Sequence, residues 1–102
     1  MTNHLIAGLD PVHPGDILRE DVLPTIRVSK TDIARRLGLS RQSFYDLINA
    51  KVPVSVGTAL RLERLFGGSA EMWLNLQRDY DLAKIKAAIG PELEKIETLE
   101  AA

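Results

Sequence analysis

Five side chains between positions 41 and 49 offer the most legible chemistry in this 102-residue chain: Arg41, Gln42, Tyr45, Asp46 and Asn49. On a helix turning about 100° per residue they share one face, opposite Phe44, Leu47 and Ile48. Arginine can grip the paired acceptors of guanine, glutamine and asparagine the donor and acceptor of adenine, and aspartate the amino group of cytosine. A polar face of that composition over an apolar one suits a helix that reads base edges in the DNA major groove. Gln42 is the strongest single reader, being central on the face and near the helix start, with Arg41 and Tyr45 beside it. Arg41 either reads guanine or holds a phosphate, and Asp46 either accepts from cytosine or orients Gln42 four residues earlier. Lys30, Ser40, Ser43 and Lys51 suit contacts to the DNA backbone, which set register and carry little sequence information.

Such a face must be held by a second helix at a fixed angle, and the preceding residues supply one. Ser29 is a helix cap, with Asp32 three residues on to complete a capping box, and Ile33, Ala34 and Leu37 form an apolar stripe. Gly38 ends that helix and Ser40 caps the next, so the turn is Gly38-Leu39-Ser40. A capped helix, a three-residue glycine turn and a second helix with a polar outer face is the helix-turn-helix plan. Hairpins of two helices with a glycine turn are common in helical proteins. Here small Ala34 at the crossing and the charge distribution favour DNA. Residues 27–64 carry eight lysines and arginines against three acids, a net +5, although the whole chain is −1 and both flanks are acidic.

The remaining sequence predicts an all-α domain of five to six helices. Residues 1–12 read as a flexible arm and 13–89 as the helix-turn-helix domain. His13-Pro14-Gly15-Asp16 opens a first helix with Ile17, Leu18 and Val22 on its apolar side, and Pro24 ends it. Ser55 caps a helix to about Phe66, where Ala59, Leu60, Leu62, Leu65 and Phe66 predict a central, mostly buried element. Ser69 and Glu71 begin the longest helix, to about Ile89. Trp73, Leu76, Tyr80, Ala83 and Ala87 make one stripe along it, and Leu82, Ile85 and Ile89 a second nearly opposite. Gly90-Pro91 is expected to break the chain before a short acidic tail over 90–102. Either that tail folds back over the second stripe, or Leu82, Ile85 and Ile89 lie in a dimer interface.

Other chemistries find little support. The chain has no cysteine, which removes disulfides and thiol catalysis and fits a reducing cytoplasm. His4 and His13 are too few and poorly spaced for a metal, and there is no triad or phosphate loop. No signal peptide or membrane span is apparent. The expectation is a protein that is not an enzyme and uses no cofactor.

With these residues set out, the chain resembles the HigA-type antitoxins of type II toxin–antitoxin modules, within the Xre/Cro helix-turn-helix group. HPGDIL at His13 to Leu18, ARRLGLSRQSFYDLIN at Ala34 to Asn49 and TALRLERLFGGSAEMWLNLQRDYDL at Thr58 to Leu82 carry the resemblance. It implies a homodimer on double-stranded DNA, an operator inverted repeat whose half-sites lie about 34–36 Å apart, and autorepression. It also implies neutralisation of a HigB-type toxin, an mRNA-cleaving RelE-like protein. The alternatives are a stand-alone repressor without a toxin, or an interaction domain that has lost DNA binding. Many members of the family have glycine after the recognition helix, where this chain has Asn49-Ala50. Either Asn49 takes the left-handed turn conformation and is lost as a reader, or the turn differs.

Overall fold

The computed structural model describes residues 10–101, so most of the arm expected at 1–12 lies outside the described residues. Within them the chain is helical, without strands. Helix α1 (Pro14–Ile17) runs on through a wider π-helical turn at Leu18–Val22 and a tight 3-10 turn at Leu23–Thr25. Helices α2 (Lys30–Leu37), α3 (Arg41–Ile48), α4 (Val56–Phe66) and α5 (Ala70–Leu93) follow. Each of α2 to α5 begins at a serine whose hydroxyl accepts the backbone N–H three residues on: Ser29 from Asp32, Ser40 from Ser43, Ser55 from Thr58 and Ser69 from Met72. Each cap satisfies one of the four amides that a helix start leaves without a partner.

The core lies between the helices, with α3 packed on α1 and α2, α4 on α2 and α5, and α5 reaching back to α1. Leu18, Phe44, Ala59 and Leu62 are fully buried, with Ile33, Leu37, Leu47, Ile48 and Trp73 nearly so. Burial of a side chain the size of leucine or phenylalanine is worth about 1.5–3 kcal/mol, so this cluster supplies most of the drive to fold. The tripeptide His13-Pro14-Gly15 seats α1 on it. The His13 Nδ1 accepts the Gly15 N–H at 2.8 Å as the cap, and Pro14 occupies the first helical position, where no amide is needed. At Gly15 a side chain would run into the Leu47 carbonyl of α3.

His13 is buried with its ring edge-on to Tyr80, centroids 5.0 Å apart. Burial pushes its pKa below the usual histidine value, against the upward pull of Asp16, a backbone hydrogen bond with Val52 and Asp81; Lys84 adds to the lowering. Because Nδ1 must stay unprotonated to cap α1, the unfolded chain takes up this proton first as pH falls. Stability should therefore be complete above the unfolded value of about 6.5 and decline as pH drops from there towards the folded one. Urea midpoints between pH 7.5 and 5.5 would show the decline, and His13→Asn, a cap that does not titrate, should flatten it.

Three expectations are corrected. Helix α4 is not the central buried element: Ala59 and Leu62 face the core, but Leu60 is 52% exposed and Leu65 and Phe66 are half-buried. Its apolar residues span more of the circumference than its neighbours cover. Gly90-Pro91 does not break the chain, since α5 continues through both to Leu93. Gly90 lacks the Cβ that is one of the groups a following proline strikes, and Pro91 lies in the last turn of the helix, so the hydrogen bond it removes is one near the frayed end. The tail does not fold back either: Leu93, Ile96 and Leu99 are exposed, as are Leu82 at 59% and Ile85 at 51%. Of the core-facing stripe on α5 only Trp73, Leu76 and Tyr80 are covered, while Ala83 and Ala87 are exposed. The second half of α5 thus projects from the body and stretches the molecule to 55 × 27 × 23 Å. Among the described residues no helix is long and apolar enough to cross a membrane.

Candidate nucleic-acid interface

The hinge between α2 and α3 is built as its sequence suggests. Gly38 adopts φ 73°, and the amides of Leu39 and Gly38 return to the carbonyls of Ala34 and Arg35 at 2.9 and 3.0 Å, the paired bonds of a glycine-terminated helix end. The capping box is only half made. Instead of turning back to Ser29, the Asp32 carboxylate takes hydrogen bonds from Arg35 and Arg36, which hold its pKa below the usual carboxylate range.

Two arginines that the sequence reading counted only as charge complete this geometry. Arg61 of α4 donates to the Leu37 carbonyl at 2.7 Å, closing the end of α2. Arg19 donates to the Ile48 carbonyl at 2.6 Å, closing the end of α3, and is itself held by Asp16 at 3.0 Å and by Glu20. A helix end leaves four carbonyls without partners, and a left-handed turn satisfies only some of them: after α3 the amides of Ala50 and Lys51 return to Leu47 and Asp46, and the Ile48 carbonyl is left to Arg19. Gln77 of α5, also missed, accepts the Val54 N–H at 2.8 Å and donates to Asp81 at 3.0 Å, which pins the loop after α3 to the long helix.

Ala50, not Asn49, takes the left-handed conformation, at φ 58°, while Asn49 sits at φ −97° with its side chain exposed. Asn49 is therefore not consumed by the turn. Alanine in that conformation costs about 1–2 kcal/mol, so Ala50→Gly should stabilise the fold by about 1 kcal/mol after glycine's extra chain entropy is subtracted. A rise in the urea midpoint with unchanged slope would register it.

The outer face of α3 presents Arg41, Gln42, Tyr45, Asp46 and Asn49 together. Arg41 lies over the Tyr45 ring, 5.6 Å from its centroid, and Tyr45 meets Phe44 edge-on at 6.3 Å, so the stack rests on the core. Gln42 Nε2 donates to Asp46 Oδ1 at 2.8 Å. The Ser40 and Ser43 hydroxyls bond each other at 2.8 Å within the cap, leaving one hydroxyl proton of the pair to donate outward. Lys30 and Lys51 are exposed at the start of α2 and just beyond α3. A rigid helix with cationic and amide groups on its free side, set on a second helix by a glycine turn, can do the chemistry of base-edge recognition flanked by phosphate contacts. Among the described residues no group of three histidine, aspartate or glutamate side chains gathers as a metal site would require.

Fold and face together define a helix-turn-helix protein of the Xre-like class. No family model matches the chain, but individual proteins do. The Pseudomonas aeruginosa antitoxin HigA, solved with the higBA promoter, superimposes with a TM-score of 0.81 at 38% identity, over 88% of this chain and 99% of that one. Antitoxin HigA-1 of Vibrio cholerae is 31% identical over 72 residues, 71% of this chain and 68% of its own. Virulence-associated protein I of Dichelobacter nodosus is 41% identical over 71 residues, 70% of this chain and 66% of its own. The chain belongs to the HigA family of Xre-like helix-turn-helix antitoxins.

Proposed function

We propose that this protein is an antitoxin that binds a palindromic operator in its own promoter as a homodimer, represses that operon and neutralises a HigB-type toxin. The observation that carries the DNA half is the outer face of α3, whose Arg41–Tyr45 and Gln42–Asp46 pairs are preset while their free edges face solvent, in a fold shared with a HigA solved with its promoter. Arg41, Gln42, Tyr45 and Asn49 reach base edges, and Lys30, Lys51 and the Ser40–Ser43 pair hold phosphates. The exposed apolar row of Leu82 and Ile85 on the projecting half of α5, with Ile89 beyond, supports pairing of two copies. Acidic residues Glu20 and Asp21, and those from Glu92 to Glu100, offer surface to a toxin that must be basic to grip RNA.

Titration of a promoter duplex at several salt concentrations tests the DNA half. Affinity should fall with a log–log slope of about −0.9 per phosphate neutralised, and the promoter should compete at least a hundredfold better than random duplex. A salt-independent complex, or equal affinity for both duplexes, would count against a repressor.

A further inference from the structure

The bond between Gln42 and Asp46 goes beyond orienting a side chain, because it selects what the side chain can read. A carboxylate only accepts hydrogen bonds, so the amide nitrogen of Gln42 must face Asp46 and one of its N–H groups is spent there. What remains at the free end is one acceptor, Oε1, and one donor, the second N–H. The four bases offer different partners to that pair in the major groove. Adenine presents a donor at N6 beside an acceptor at N7 and meets both. Guanine presents two acceptors, so one would face Oε1 without a proton between them. Thymine offers one acceptor beside a methyl group, and cytosine one donor.

We infer that Gln42 specifies adenine at one position of each operator half-site and that Asp46 is the positioning residue that enforces the choice. This rests on the operator-binding reading above and deepens it. It gives Asp46 a role through its neighbour, with Oδ1 held by Gln42, and requires no contact from Asp46 to a cytosine. It also explains a carboxylate on a face that must approach phosphates: the charge weakens binding to any duplex, while the orientation it imposes rewards one base.

The experiment measures anisotropy binding of the full chain to promoter duplexes in which each position is changed through all four bases, and to random duplex. The chain is compared with Gln42→Ala, Asp46→Ala and Asp46→Asn. For the unaltered chain one position per half-site should favour adenine about tenfold or more. Gln42→Ala should erase that preference and leave those at other positions. Asp46→Ala should cut it severalfold while binding random duplex as well or better, a combination that simple loss of structure would not give. Asp46→Asn, whose carbonyl can still accept from Gln42, should restore it. A guanine preference at the position that Gln42→Ala erases, or no position erased at all, would overturn the adenine assignment. An intact adenine preference in Asp46→Ala would overturn the positioning role. If no duplex is preferred over random DNA, the operator reading itself fails.

Discussion

Gly15→Ala is expected to destabilise the domain by about 3 kcal/mol, in the upper range for a single overpacking change. The reason is geometric. The new Cβ would overlap the Leu47 carbonyl oxygen and lie 3.1 Å from the carbonyl carbon, and both are backbone atoms of α3 that cannot turn aside as a side chain end could. Either α1 lifts from the core, exposing Leu18, or α3 shifts, disturbing Phe44 and Ile48 on the same element. For a domain of this size the loss corresponds to a fall of roughly 10–20 °C in Tm, readable by circular dichroism. If α3 is the helix that shifts, promoter binding at a temperature where the variant is still folded should also weaken, because α3 carries Arg41 and Gln42. An unchanged Tm would mean that α1 does not pack on α3 as described.

If two copies pair through α5 as proposed, Ile85→Glu is expected to separate them and reduce operator affinity at least a hundredfold while leaving the protomer folded. Ile85 is 51% exposed and Leu82 beside it 59%, so neither contributes much to the core of one chain. Two linked half-site contacts gain about 10²–10⁴ in affinity over one, and that gain disappears when the copies part. A buried glutamate in an apolar interface would be expensive enough to part them. Sedimentation should show the mass halve, and a duplex with a single half-site should bind the variant and the unaltered chain alike. A variant that remains dimeric would move the interface elsewhere on the molecule.

Much of the fold was legible because the devices that form it are local. The caps at Ser29, Ser40, Ser55 and Ser69 and the left-handed stop at Gly38 each depend on residues within one turn of helix. The polar face from Arg41 to Asn49 follows from helical period alone, so the candidate readers could be named before any tertiary contact was known. Arg19 and Arg61 could not be distinguished from other surface charges, because the carbonyls they satisfy lie 29 and 24 residues away. Leu60 and the two stripes of α5 were apolar in the sequence, but whether an apolar residue is covered depends on how far its neighbours extend. The α5 helix runs past the end of the body that would cover it.

The sequence by itself determined most helix starts and stops, apart from the passages through Pro24 and through Gly90 and Pro91, and which side of α3 is free. Hydrogen bonds and steric limits within a few residues suffice for that. Tertiary structure decided which arginines lock the helix ends, that Ala50 and not Asn49 bears the left-handed turn, and that half of α5 stands exposed. Each of these depends on groups brought together by packing, which local spacing does not encode.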